Sequence, residues 1–238
     1  MSLAVDLSGI VYRWRKALPV VLDIPEISVT VGEKLFVRGP SGSGKTTLLN
    51  LLGGVAIPEQ GELKILGERL DLMPARSRDS FRADHIGFIF QQFNLIPYLS
   101  VIDNVLLPCR FSLRRLSKAK SRGREPEAEA RRLLRRMGLP VENLTGPLVT
   151  DLSVGQQQMV AAARALIGGP DLIIADEPTS SLDENARYAF LNLLFLEAEE
   201  AGQTLIFVSH DGRLAEAFDR IVDLPDINRA GRGKSPKC

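Results

Sequence analysis

Apolar residues along the chain follow two rhythms. Short unbroken runs stand at Lys34–Arg38 (KLFVR), Ile86–Phe90 (IGFIF), Leu172–Ala175 (LIIA) and Thr204–Ser209 (TLIFVS). Runs that are apolar on successive residues predict parallel strands covered on both faces, rather than half-solvated ones that alternate. Elsewhere the period lengthens. Glu184–Ala201 has helical spacing and, with the runs on either side, makes a strand–helix–strand unit. Thr46–Leu52 reads as a helix stopped by Gly53 and Gly54, and Gly61–Leu66, ending at Gly67, as an antiparallel edge strand.

The middle breaks this pattern. From Pro97 to about Leu152 no segment predicts a strand. A basic stretch (Arg114, Arg115, Lys118, Lys120, Arg122, Arg124) leads into Glu125–Met137, a charged amphipathic helix with Gly138 as its stop. The basic stretch has two readings, a solvated face and a contact with phospholipid headgroups, of which the first is the commoner. The whole predicts an α/β fold with a mixed, mainly parallel sheet, an antiparallel β edge and an inserted helical subdomain. As a single domain over 1–238, its core takes about 1–90 and 160–225, the helical insertion about 91–159, and a loose tail 226–238.

Composition changes this picture little. Of 238 residues, 45% are apolar and 25% charged, the globular average, which excludes a coiled coil, a collagen or a disordered chain. Lysine plus arginine (30) against aspartate plus glutamate (29) leaves a charge of +1, so no nucleic-acid partner is expected. Two cysteines, Cys109 and Cys238, are too few for a disulfide scaffold and point to a reducing compartment. No stretch reaches the ~20 apolar residues of a membrane span. The expectation is a cytoplasmic protein that works at a membrane only through a partner.

Candidate chemistry begins at Gly39, Pro40, Ser41, Gly42, Ser43, Gly44, Lys45 and Thr46, which match G-x-x-x-x-G-K-[ST] between a strand and a helix. Glycines let the backbone curl so that N–H groups face phosphate oxygens, and the following helix aims its positive end there. Lys45 is placed for the β- and γ-phosphates and the Thr46 hydroxyl for Mg²⁺. Leu172–Glu177 (LIIADE) ends in two carboxylates, Asp176 for Mg²⁺ and Glu177, on the other side by strand alternation, as general base. His210 follows an apolar strand at the edge where open parallel sheets bind ligands, which favours a γ-phosphate contact. Gln91 follows its strand directly and is placed to touch Mg²⁺ or the attacking water. His85 reads as a surface residue. Leu152–Gln156 (LSVGQ) reads by itself as a helix start, with Ser153 as cap and Gly155 opening the backbone.

The ordered set GPSGSGKT, FQ, LSVGQ, LIIADEP, SSLD and VSHD resembles the nucleotide-binding subunit of ABC transporters, from about Leu3 to Leu224. The tract Phe88–Pro97 resembles the branch with lipoprotein-release and macrolide-efflux ATPases. The resemblance implies a P-loop NTPase core and, for ATP, a Walker A loop from Gly39 to Thr46 with Thr47 beside it. It further implies a Q-loop at Gln91, a signature of Ser153, Gly155 and Gln156, Walker B at Asp176, catalytic Glu177, a D-loop at Asp183 and a switch at His210. An aromatic ring stacks on adenine in this family; Tyr12 fits, with Trp14 on the same strand face as the alternative. Two copies are implied to close head to tail on two ATP molecules and to drive a separate transmembrane permease. The rival reading is an ABC-type regulatory ATPase coupled to a membrane partner without transport. Two departures stand out: Val154 replaces the usual first signature glycine, and Met159 an arginine.

Overall fold

The computed structural model describes residues 2–123, 125–140 and 148–230. Arg124, Cys238 and the last part of the expected tail lie outside the described residues. In chain order the first elements are β1 (Leu3–Tyr12), β2 (Leu22–Thr30), β3 (Lys34–Arg38), α1 (Lys45–Leu52), β4 (Gln60–Ile65), β5 (Glu68–Arg69) and α2 (Ala75–His85). Next come β6 (Ile86–Ile89), α3 (Val101–Phe111), α4 (Leu113–Gly123), α5 (Pro126–Arg136), α6 (Val154–Leu166) and β7 (Leu172–Asp176). The last are α7 (Glu184–Glu200), β8 (Thr204–Ser209), β9 (Arg220–Asp223) and α8 (Leu224–Ile227). The chain forms two compact units: Met1–Asp79 with Ile206–Cys238, and Ser80–Leu205.

In the first unit, β2, β1, β4 and β5 form an antiparallel sheet in that order, with Leu7 opposite Ile27 on one side and Leu63 on the other. The strand expected at the edge, β4, is therefore internal. Its outer neighbour β5 is two charged residues long, joined by Leu66 and Gly67 at φ 53° and 84°. Positive φ at both residues makes the tight hairpin turn that matches strand twist, but Glu68 and Arg69 carry no apolar signal to announce a strand. β3 pairs parallel with β9, Leu35 opposite Arg220 and Val37 opposite Val222. Phe36, Phe207 and Phe218 pack here with centroids 5.0–5.9 Å apart.

In the second unit, β6 and β7 run parallel with Ile86 opposite Leu172 and Ile89 opposite Ala175. Both strands are apolar on successive residues because both faces are covered. Between them, among the described residues, come α3, α4, α5 and α6, of which the sequence announced α5 and the start of α6. Ser100 caps α3 by accepting from the Asp103 N–H at 3.0 Å. α5 has Pro126 in its first turn with Glu127 and Glu129, and Arg135 and Arg136 in its last, the charge order its dipole favours.

The basic stretch is not simply a solvated face. Arg115 is 2% exposed. Its guanidinium donates to the carbonyls of Ala165 at 2.7 Å and Ile167 at 2.6 and 2.8 Å, and so closes the end of α6. Burial lowers its pKa to about 10. Arg114 grips Asp171 with two bonds of 2.5 and 3.0 Å, and Lys118 donates to the Gly169 carbonyl at 2.8 Å. These three cations tie α4 to the turn before β7. His85, expected at the surface, joins them: its Nδ1 lies 2.7 Å from Asp171, and its ring stacks on Phe81. Burial pushes the Asp171 pKa up, but the hydrogen bonds from His85 and Arg114 outweigh it and hold the carboxyl well below the usual range. Among the described residues, no helix is long and apolar enough to cross a membrane.

Candidate functional site

In the first unit the motif loop joins β3 to α1. Gly42 and Gly44 have φ of 80° and 101°, and Gly44 is the N-cap of α1. A side chain at Gly44 would be strained by its backbone and would meet Leu22 Cδ2 at 2.8 Å. Only glycine fits there. The curl brings Lys45 back over the loop, where its Nζ donates to the carbonyls of Gly39 at 2.7 Å and Pro40 at 3.1 Å. Ser43 Oγ is buried and has no hydrogen-bond partner, an orphaned donor that a phosphate oxygen would satisfy. Thr46 is exposed at the start of α1, while Thr47 is buried. Beside the loop opens a cavity of about 550 Å³, walled by Val20, Val21, Pro40, Ser43, Pro225 and Asn228.

Tyr12 ends β1 and is 7% exposed, and its pKa is raised by burial, then by Glu59. Trp14 is not on that strand, which stops at Tyr12; it stands beyond the end, 52% exposed, edge-on to Tyr12 at 5.3 Å. The indole therefore presents the open aromatic surface. His210 is exposed just past β8. The chain turns there because Ser209 Oγ accepts from the Asp211 N–H at 3.1 Å and Asp211 caps a short 3₁₀ turn, Gly212–Ala217.

In the second unit, Asp176 is the last residue of β7, and Glu177 lies outside the strand. Glu177 has φ 47° and is 8% exposed. Strand alternation therefore does not set its direction; a left-handed kink does. That conformation costs an L-residue about 1–2 kcal/mol and is retained mostly where function requires it. Asp183 caps α7 by accepting from the Ala186 N–H at 2.9 Å. Gln91 is exposed in the loop after β6.

Ser153 caps α6, its Oγ accepting from the Gln156 N–H at 3.3 Å, while Gln156 Oε1 accepts from the Ser153 N–H at 2.9 Å. Gly155 lies inside the helix, with ordinary helical geometry rather than a positive φ. It does not open the backbone as expected. A Cβ there would meet only Leu182, at an ordinary 3.5 Å. The first turn of α6 thus shows Ser153, exposed Val154 and bare backbone to its surroundings.

Sequence reasoning missed Arg164. It is 8% exposed on the apolar face of α6, and burial lowers its pKa to about 10. It donates to the carbonyls of Phe93 at 2.5 Å and Asn94 at 2.6 Å, residues held at φ 60° and 50° just after Gln91. A cation among Val160–Leu166 was the only signal. No group of three or more His, Cys, Asp or Glu side chains that could hold a metal occurs among the described residues.

The ABC transporter family matches residues 22–180. The chain is 39% identical over 214 residues to the lipoprotein-releasing system ATP-binding protein LolD of Chromohalobacter salexigens, covering 90% of this chain and 86% of that one. The chain belongs to the ABC transporter family. The family match spans the phosphate loop, Gln91, the signature and β7; Tyr12 and His210 lie outside it. This ABC chain is also 36% identical over 237 residues to the macrolide export ATP-binding/permease protein MacB of Rhodopseudomonas palustris, covering 98% of itself but 35% of that protein. Its fold is that of the ATP-binding cassette MJ0796, solved as a dimer in a post-hydrolysis state bound to ADP and Pi. The TM-score is 0.80 at 35% identity, over 92% of this chain and 93% of that one.

Proposed function

We propose that this ABC chain binds and hydrolyses ATP and so powers export or extraction of a substrate through a separate transmembrane permease. The observation that carries the reading is the phosphate loop: left-handed Gly42 and Gly44, Lys45 folded over the curl, and an orphaned Ser43 hydroxyl. Backbone N–H groups of Gly39–Thr46 and the Lys45 ammonium hold the phosphates. Thr46, Asp176 and the Gln91 amide would hold Mg²⁺, a cation that rarely has an all-protein cage. When bound there, it would supply neutralisation of the phosphate charge. Glu177 takes the proton of the attacking water, and His210 contacts the γ-phosphate. Adenine stacks on Trp14, the alternative to Tyr12, because its ring is the exposed one of the two.

A second copy completes each site with Ser153, Gly155, Gln156 and Asp183, in an ATP sandwich dimer. ATP favours the closed dimer through contacts that hydrolysis removes. The helical insertion, about 91–159, carries that change to the permease. Two findings support these partners: MJ0796 is a dimeric cassette, and MacB joins an ATP-binding part and a permease in one protein. The working place is the cytoplasmic face of the plasma (inner) membrane.

Glu177→Gln tests the assignment. This variant should keep ATP affinity, lose turnover by at least about a hundredfold and accumulate an ATP-dependent dimer on size exclusion. Steady-state hydrolysis at the unmutated rate would refute the role of Glu177. Lys45→Ala should lose ATP binding itself.

A further inference from the structure

The segment after β9 reaches the phosphate loop through one side chain. Asn228, just past α8, is 7% exposed, and its carboxamide is fully used. Oδ1 accepts from the N–H groups of Asp23 at 2.9 Å and Ala230 at 3.0 Å. Nδ2 donates to the carbonyls of Val21 at 3.0 Å and Ser43 at 3.2 Å. The Arg229 N–H adds a bond to the Asp23 carbonyl at 2.8 Å. Pro225 lies 3.3 Å from where a Cβ on Gly39 would stand. The C-terminal segment, the approach to β2 and the phosphate loop therefore share one hub.

The bond to Ser43 has a directional consequence. Across a trans peptide, the carbonyl and the following N–H point to opposite sides. With the Ser43 carbonyl turned to Asn228, the Gly44 N–H is turned away from it. Gly44, at φ 101°, has no side chain to resist rotation of that peptide plane. Something outside the loop has to hold it.

We propose that Asn228 is a positioning residue for ATP hydrolysis: by holding the Ser43 carbonyl it fixes the Ser43–Gly44 peptide plane and presents the Gly44 N–H to the nucleotide phosphates. This rests on the ATP reading above and adds to it a residue from outside the motifs. Asn228 acts through the loop backbone, so its effect falls on phosphate recognition and not on the base.

The test uses Asn228→Asp, which keeps Oδ1 but replaces the donor, and Asn228→Ala, which removes both without adding charge. KM for ATP is measured together with the inhibition constants of pyrophosphate and of adenosine as competitors. In both variants, KM and the pyrophosphate constant should rise about tenfold, the loss expected for one well-placed hydrogen bond. The adenosine constant should stay within a factor of two. Partial unfolding lowers kcat but moves none of these constants, so a merely structural role leaves them in place. Unchanged KM and pyrophosphate constants overturn the proposal. So does an equal rise in all three, or a shift confined to the charged variant. Wild-type hydrolysis, lost in Lys45→Ala, is measured alongside. Its absence would overturn the ATP reading itself, a different failure from wild-type activity with unaltered Asn228 variants.

Discussion

The phosphate loop and the first turn of α6 are both short glycine-containing motifs, and their glycines are there for opposite reasons. Gly44 stands at φ 101° with Leu22 against it, so folding alone forbids a side chain. Gly155 stands in ordinary helical backbone, where a Cβ would make only an ordinary contact with Leu182, so folding alone would prefer alanine there. In the first motif, residue choice follows from backbone geometry. In the second, a capping box of Ser153 and Gln156 accounts for the helix start, and the glycine remains without a structural cause. A residue that costs stability and fits no local need points to something that approaches from outside, which in the proposed sandwich dimer is the second copy.

Alanine substitutions sharpen this contrast. Gly44→Ala should have the largest effect. Left-handed strain and the Leu22 clash together cost about 2–4 kcal/mol, a fall of roughly 5–15 °C in Tm, with ATP binding lost. Calorimetry and nucleotide titration check it; a normal Tm with normal binding would remove the geometric argument. Ser153→Ala should lose the cap, about 1 kcal/mol or ~2–4 °C, and cut turnover about a hundredfold while leaving ATP binding by the monomer intact. The smallest effect on stability, and of opposite sign, is expected of Gly155→Ala. Its Tm should rise by ~1–4 °C from the better helix propensity, and turnover should fall about tenfold as a methyl group intrudes on the approaching phosphate. A destabilised Gly155→Ala protein with full activity would erase the distinction between the two motifs.

Legibility in the sequence followed the same division. The unbroken runs that became β3, β6, β7 and β8 were readable because covering both faces leaves no polar positions. β5 was not, since two charged residues after a tight turn carry no periodicity. α4 stayed hidden behind cations that look solvated but bind carbonyls and Asp171. In the site, the phosphate loop is contiguous and could be read directly. Arg164 and Asn228 could not: their partners are backbone carbonyls 70 and 185 positions away, and a carbonyl has no residue type to recognise. The left-handed backbone of Glu177 was likewise invisible, because the residue type there signals chemistry and not conformation.

The central claim, that each active site takes its phosphate loop from one copy and its signature from the other, is tested most directly by mixing two inactive variants. Ser153→Arg and Lys45→Ala should each be nearly inactive as homodimers. In their heterodimer one composite site carries both lesions and the other carries neither. Mixing should therefore restore ATPase activity, up to about half of the wild-type rate per heterodimer if the sites fire independently. Cross-linking of differently tagged chains shows that heterodimers form. Heterodimers that form and stay inactive would contradict the shared site and leave only ATP binding by the single chain.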